Sequence, residues 1–239
     1  MQVFSGNKLS YSSLALAVVT AGALIALTSG NSSAGRATAS PREEERAISR
    51  TEALLAGIPQ HGIVLGRSTA PVTLQFFGDL QCEESRQVML GALPFLIRHW
   101  VRDGKLRIQF RSLQTDTPDR NEYMAQQAAA LIAGQQGKMW TYIDLFYREQ
   151  QAEFTRYADD AFLEGIAEQA GVDLENGLED RNSVALAEKI ESDQALAEAK
   201  EMESTPSFLI GPTGGEARRL LHFSLEEPAV FDEAIRDLL

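Results

Sequence analysis

The sequence predicts an α/β protein in which a helical block separates a strand–helix–strand unit from a C-terminal strand–strand–helix unit. Three observations lead to this prediction. A short β-branched and aromatic run at 72–77 is followed by a helical pattern and then by a strictly alternating segment at 105–113. The chain from about 119 to 202 has a helical pattern throughout, and 207–210 returns to strand character. A helical crossover of this kind makes the first two strands parallel.

The first 39 residues differ in composition from the rest of the chain. They carry only two charges, Lys8 and Arg36, and contain an apolar run at 14–27. That length is typical of a signal peptide and is short for a spanning helix, which needs about 20 residues. We predict that 1–39 is either a cleaved signal peptide or a membrane anchor through 14–28. In both cases the folded part is expected to be extracytoplasmic: periplasmic, cell-envelope or secreted.

The segment 40–60 is predicted to be a linker that ends in a short helix near 48–56. It combines a charged stretch with an amphipathic one and leads into the first strand. The folded domain is therefore expected to occupy 61–239, with its helical insertion at about 119–202.

The helix after the first strand is predicted from the spacing of apolar residues. The residues on its apolar face are Met89, Leu93, Leu96, Ile97 and Trp100. Pro94 lies inside this pattern and is expected to kink the helix, which ends near Gly104.

Glycines divide the helical block, and a strand, a turn and a helix follow it. The helices are expected at about 119–135, 138–150, 159–170, 174–180 and 183–200. After the strand at 207–210, we expect a turn at 211–215, a further strand at 218–223 and a closing amphipathic helix at 225–239.

The charge balance and the cysteine count exclude several functions. The 239 residues include 22 Lys and Arg against 34 Asp and Glu, which gives a formal net charge of −12. Nucleic-acid binding relies on basic clusters that contact the phosphates. Because the chain is acidic, we predict no nucleic-acid partner. Cys82 is the single cysteine, so an intramolecular disulfide and a zinc site built on several cysteines are excluded. We predict no metal site and no cofactor.

Cys82 lies at a position where this layout favours a reactive side chain. It follows the first strand and opens the next helix, where unpaired N–H groups and the helix dipole favour a thiolate. Its polar neighbours, Gln81 and Glu83 to Ser85, favour a functional thiol over a buried cysteine that only fills space. A cysteine–histidine pair fits poorly, because none of the three histidines is expected near Cys82.

Five segments, in a fixed order and spacing, resemble a known family. They are LGRSTAPVTLQFFGDLQC at 65–82, LP at 93–94, GKLR at 104–107, GKMW at 137–140 and STPSFLI at 204–210. The chain resembles the DsbA-like family of exported thiol–disulfide oxidoreductases over about residues 62–238. The resemblance implies a thioredoxin-like fold with a helical insertion. As partners it implies exported proteins or peptides that carry thiols or disulfides.

The resemblance also implies the roles of five residues. Cys82 occupies the position of the attacking thiol, and Ser85 stands where the family has its resolving cysteine. The segment Ser204, Thr205 and Pro206 resembles the loop that carries the family's cis-proline and holds an extended substrate peptide.

The serine at position 85 is the main departure from the family. A hydroxyl cannot form or resolve a disulfide, so dithiol cycling is closed to a single chain with the site Cys82-Glu83-Glu84-Ser85. Exchange through a mixed disulfide on Cys82 remains, although the two adjacent carboxylates disfavour its thiolate. The alternative is a peptide-binding or chaperone-like module in which Cys82 is incidental. The sequence leaves open whether the chain is an enzyme.

Overall fold

The computed structural model describes residues 40–174 and 184–239. The segment predicted to direct export, 1–39, lies outside the described residues, as does the helix predicted at 174–180 except for its first residue. Within the described ranges, no helix is both long enough and apolar enough to cross a membrane.

A mixed sheet of six strands forms the centre of the part of the chain that the structure describes. Its order is β1-β2-β4-β3-β5-β6. The strands are β1 Gln60–His61, β2 Val64–Leu65, β3 Val72–Gly78, β4 Leu106–Ser112, β5 Ser207–Pro212 and β6 Arg218–Arg219. β3 and β4 are parallel, which confirms the predicted crossover, and all other neighbouring pairs are antiparallel.

The central strands form the core because both of their faces are covered. β3 is buried along almost its whole length, whereas β4 alternates between buried and half-buried residues. Phe76 stacks on Phe208 of β5 with ring centroids 5.2 Å apart and meets Phe110 of β4 edge-on at 5.4 Å. Such aromatic contacts add to the hydrophobic gain from burial and fix the three strands against one another.

Helices precede, connect and follow the strands. They are α1 Pro41–Leu55, α2 Glu83–Leu90, α3 Ala92–Leu96, a π-helical turn at Ile97–Val101, α4 Arg120–Gln135, α5 Met139–Glu149, α6 Asp160–Ala170, α7 Val184–Ala199 and α8 Ala229–Arg236. The helices α4 to α7 lie where the sequence predicts an insertion. The α/β fold with a helical insertion is thus confirmed.

The linker predicted for the start of 40–60 is wrong, because α1 already begins at Pro41. Ser40 caps the helix: its backbone N–H donates to the Glu43 carboxylate at 2.9 Å, and Pro41 takes the first helical position. The helix also packs on α5, where the Thr51 hydroxyl donates to the buried Asp144 carboxylate. Residues 41–55 therefore belong to the folded domain.

The helix after β3 breaks at Gly91, ahead of the predicted kink at Pro94. Pro94 has no N–H to donate to the Leu90 carbonyl, and its ring crowds that carbonyl, so α2 ends at Leu90. A Cβ atom at Gly91 would lie 2.9 Å from the Leu225 carbonyl oxygen, which makes glycine the residue that fits this close approach.

The C-terminal elements are shorter than predicted. The strand predicted at 218–223 has only two residues, and His222 adopts a left-handed conformation with φ 57°, which is incompatible with a continuing strand. The closing helix starts at Ala229, because Pro228 provides its N-cap, and not at 225.

Candidate active site

Cys82 is the N-cap residue of α2, at the carboxyl end of the buried strand β3. Its backbone is extended, with φ −69° and ψ 125°, and its Sγ accepts a hydrogen bond from the Ser85 N–H at 3.4 Å. Ser85 therefore lies one helical turn after Cys82 and next to its sulfur.

The loop that precedes β5 brings Thr205 and Pro206 to the same place. Because β3 and β5 are antiparallel and pair Phe77 with Ser207, the start of β5 lies beside the end of β3. The Thr205–Pro206 peptide bond is cis, and the Cys82 thiol donates a hydrogen bond to the Thr205 carbonyl at 3.4 Å. The Ser204 carbonyl accepts from the Ser207 hydroxyl at 2.6 Å. The structure thus brings together all five residues singled out from the sequence.

The thiol is buried, contrary to the exposure that its polar neighbours favour. Cys82 is 0% exposed, and Gln81 and Ser85 are buried with it. The Gln81 amide is satisfied inside the protein, because its Nε2 donates to Glu122 at 2.8 Å. Polar residues therefore surround the sulfur without exposing it to water.

Burial raises the pKa of the Cys82 thiol to about 12. A buried thiolate loses its hydration, and this cost outweighs the stabilising contacts from Thr205 and from the Ser85 N–H. Asp116 adds to the increase. The thiolate stabilisation expected at the amino end of a helix is therefore insufficient here, and the thiol is protonated at neutral pH.

Two carboxylates lie close to the sulfur. The Glu84 Oε2 atom is 3.5 Å from Sγ, and the ligand atoms of Cys82, Glu84 and Glu153 all lie within 4.8 Å of one another. A metal ion bound there would have to displace the thiol proton and draw these atoms together, and we assign no ion to the group. The effect that follows directly is electrostatic, because nearby negative charge disfavours the thiolate.

Asp79 organises the loops around the site and was not identified from the sequence. Its buried carboxylate accepts from the Gln81 N–H at 3.1 Å and from the backbone N–H groups of Thr115, Asp116 and Thr117 at 3.0, 3.0 and 2.9 Å. The Thr117 hydroxyl adds a fifth bond at 2.6 Å. Asp79 thereby joins the loop before α2 to the loop after β4.

The loop after β4 in turn contacts the cis-proline loop. The hydroxyls of Thr115 and Thr205 are 2.5 Å apart, and the Thr205 hydroxyl also approaches the Asp116 carboxylate at 3.4 Å. The three loops at this edge of the sheet are therefore linked, through Asp79, into one support for Cys82.

The Ser85 hydroxyl is buried without a hydrogen-bond partner among the described residues. The Tyr147 hydroxyl lies on the inner side of the site, where it donates to the Asp79 carbonyl at 3.1 Å, and burial raises its pKa well above the ordinary value. Since a sulfhydryl forms only weak hydrogen bonds, the position of Ser85 suits a cysteine side chain as well as a serine.

The histidines take no part in the described site. His61, His99 and His222 are all exposed, and the Nδ1 atom of His99 lies 3.0 Å from the Phe95 carbonyl of the preceding turn. The expectation that no histidine pairs with Cys82 agrees with these positions.

Comparison with known proteins identifies a family that matches this chain and a relative that is similar to part of it. A family model described as thioredoxin matches residues 59–218. The probable disulfide bond formation protein D of Bacillus anthracis is 24% identical over 148 residues, which cover 61% of this chain and 68% of that protein.

Solved structures show the same fold. Oxidised BdbD from Bacillus subtilis aligns with a TM-score of 0.63 and 17% identity, over 77% of this chain and 97% of that chain. Alpha-DsbA1 from Wolbachia pipientis aligns with a TM-score of 0.60 and 19% identity, over 79% and 94% of the two chains.

Proposed function

The chain belongs to the thioredoxin family, and from that premise we propose that it is a DsbA-like, extracytoplasmic protein that exchanges disulfides through one thiol, Cys82. In this proposal Cys82 is the nucleophile, and Ser85 replaces the thiol that would resolve the mixed disulfide. Ser204, Thr205 and Pro206 hold the substrate backbone.

The observation that carries the proposal is the position of Cys82 against the cis-proline loop. Its sulfur is 3.4 Å from the Thr205 carbonyl, at the amino end of α2. A peptide that pairs with the backbone at 204–206 would bring its own disulfide within reach of this sulfur. The linked loops around Asp79 would hold Cys82 and the cis-proline loop in place relative to each other.

The exchange balances without an external oxidant. The Cys82 thiolate attacks one sulfur of a substrate disulfide R–S–S–R′, so that the bond Cys82–S–S–R forms and the thiolate R′–S⁻ leaves. The proton lost by Cys82 is returned to the leaving thiolate by solvent. A second substrate thiolate then attacks the mixed disulfide, which forms a new substrate disulfide and releases Cys82. Ser85 cannot perform this last step.

Export is a separate part of the proposal and rests on composition alone. The segment 1–39 has the charge pattern and apolar length of a signal peptide or anchor, and the first described helix, α1, begins at Pro41. Disulfide exchange also suits an oxidising compartment outside the cytoplasm.

A second candidate function is peptide binding without redox turnover. The observation that favours it is the buried thiol, whose pKa of about 12 leaves little thiolate at neutral pH. In this case the cis-proline loop would bind extended peptides, and Cys82 would fill space.

Insulin reduction and refolding of scrambled ribonuclease distinguish the two functions. We expect the wild-type protein to accelerate at least one of these reactions, and Cys82→Ala to lose that acceleration. Equal rates for both proteins would contradict the exchange function and support the binding module. Thr69→Val, a substitution at an exposed position away from the site, is a suitable control.

A further inference from the structure

The loop between α5 and α6 lies across the amino end of α2. The Gln150 side chain donates from Nε2 to the carbonyls of Leu80 and Cys82, at 3.0 and 3.1 Å. Farther along the loop, the Glu153 Oε1 atom accepts from the Glu83 N–H at 2.7 Å. Both contacts are made to the segment that carries the reactive sulfur.

Glu153 occupies the position at which a helix stabilises an anion. Glu83 is the first residue of α2, so its N–H is one of the unpaired donors at the amino end of that helix. A carboxylate bound there uses the favourable field that would otherwise stabilise a Cys82 thiolate. The Glu153 carboxylate is also within 4.8 Å of the sulfur, where its charge directly opposes ionisation of the thiol.

The middle of the loop, at 152–156, is largely exposed, whereas Tyr157 and Ala158 near its end are buried in the core. Phe154 and Arg156 have left-handed backbones, with φ 63° and 53°, a conformation that residues with a side chain rarely adopt. The Arg156 guanidinium pairs with Asp119 at 2.5 Å, but its side chain is 70% exposed, and such exposed pairs are weak. Phe154 is itself exposed to solvent.

We propose that the α5–α6 loop is a displaceable cover over Cys82, and that the Glu153 carboxylate, together with burial, opposes ionisation of the thiol while the cover is closed. This inference rests on the proposed exchange function and describes how access to the Cys82 thiol is regulated. A substrate that carries a disulfide must move Glu153 away from the end of α2 before its sulfur can meet Sγ. Glu153 is thus a positioning residue that acts through Cys82.

Other charged or titratable groups face the sulfur from neighbouring elements, and they form the background against which the effect of Glu153 must be measured. Glu84 of α2 lies 3.5 Å from Sγ, and Asp116 approaches from the loop after β4. Tyr147 of α5 is on the inner side, and Arg86 of α2 donates to the Tyr147 carbonyl at 2.9 Å. Among the charged groups of the described residues near the sulfur, Glu153 is the one that contacts the amino end of α2 from a separate loop.

The test is the rate of alkylation of Cys82 by iodoacetamide as a function of pH, measured by intact mass. Glu153→Gln keeps an oxygen acceptor for the Glu83 N–H but removes the charge, whereas Glu153→Ala removes the contact with the Glu83 N–H as well. We expect Glu153→Gln to react about tenfold faster than wild type at neutral pH, which corresponds to one unit of Cys82 pKa. Glu153→Ala should react at least as fast. Glu164→Gln, an equal charge change at an exposed position on α6, should react like wild type.

The outcomes separate this inference from the proposed function. If both Glu153 variants follow the wild-type rate at every pH, or if Glu164→Gln accelerates the reaction equally, the cover is refuted. If the Glu153 variants alkylate faster but form no mixed disulfide with oxidised glutathione, the cover stands and the exchange function fails. Circular dichroism of each variant confirms that the fold is retained.

Discussion

The Cys82 thiol donates a hydrogen bond to the Thr205 carbonyl at 3.4 Å, across 123 positions of the sequence. The bond joins the end of β3 to the start of β5, which the antiparallel pairing of these strands places side by side. It has a chemical consequence: an exchange reaction at Cys82 must break this bond, because the thiol gives up the proton that it donates. The same carbonyl is adjacent to the backbone at which a substrate peptide would bind.

The protein should become less stable in alkali because of Cys82. The folded-state pKa of about 12 is above the ordinary value of 9.0, so the protonated thiol stabilises the folded state. This contribution is complete below about pH 9 and is lost as the pH rises towards 12. The difference in the free energy of unfolding between wild type and Cys82→Ser should therefore fall above pH 9, with a slope approaching about 1.4 kcal/mol per pH unit. Chemical denaturation at several pH values measures it, and a constant difference would contradict the raised pKa.

Ser85→Cys should form an intramolecular disulfide with Cys82. The Ser85 N–H already contacts the Cys82 sulfur, and positions separated by one helical turn can satisfy the Cα separation of roughly 4.4–6.8 Å that a disulfide requires. We expect the number of free thiols per chain, measured by titration, to fall from two to none under mild oxidant. Oxidase or reductase turnover should exceed that of wild type. Glu83 and Glu84 disfavour the thiolate of the reduced form, so this variant should be a weak oxidant.

The matched control for that variant is Ser85→Ala, which removes the unpaired hydroxyl without adding a thiol. It should keep one free thiol and the wild-type activity level. If Ser85→Cys retains two free thiols, the geometry of the site differs from that of a dithiol family member, and the peptide-binding function becomes the better explanation.

Asp79→Ala should destabilise the protein and loosen the loops of the site. The substitution leaves five donors, three of them buried, without their acceptor, and each unmet buried group is costly, so we expect the free energy of unfolding to fall by about 3 kcal/mol. Urea denaturation provides the measurement. Asp103→Ala, at an exposed position, is the control and should change stability by less than about 0.5 kcal/mol. Similar stabilities for the two variants would show that Asp79 does not support the site.

Thr51→Val should show that α1 is part of the folded domain. The hydroxyl of Thr51 donates to Asp144, which also pairs with Arg148 at 2.7 Å in a buried position. Loss of this hydroxyl leaves the Asp144 carboxylate short of one donor, so the free energy of unfolding should fall by about 1–2 kcal/mol. Thr69→Val, at an exposed position, should have no measurable effect. If Thr51→Val is equally neutral, α1 contributes little to the domain.

The sequence predicts the parts of the fold that depend on local patterns. The apolar run of β3, the alternation of β4 and the helical periodicity of the insertion are all visible in short windows, because burial imposes them on consecutive residues. The first turns of α1 carry a local signal as well, a serine followed three residues later by Glu43, but the dense charges at this point resemble those of a linker.

The missed features of the site depend on contacts between distant segments. Asp79 binds backbone groups near Thr117, 38 positions away, and Glu153 meets the Glu83 N–H across 70 positions. The burial of Cys82 has the same origin, because residues from other loops cover it while its sequence neighbours are polar. No periodicity records such contacts. The resemblance to a family with a known cis-proline loop, by contrast, carries long-range information, and the Thr205–Pro206 bond is cis and lies beside Cys82.

Trapping of a mixed disulfide tests the central claim most directly. Wild-type protein and Cys82→Ser are incubated with a peptide that contains a disulfide, acid-quenched and analysed by intact mass and peptide mapping. Exchange through a single thiol predicts one peptide adduct on wild type, located at Cys82 and removed by reductant, and none on Cys82→Ser. Because the protein has no resolving thiol, the adduct should persist after excess peptide is removed. The account would be contradicted if neither wild-type protein nor Glu153→Ala acquired the adduct.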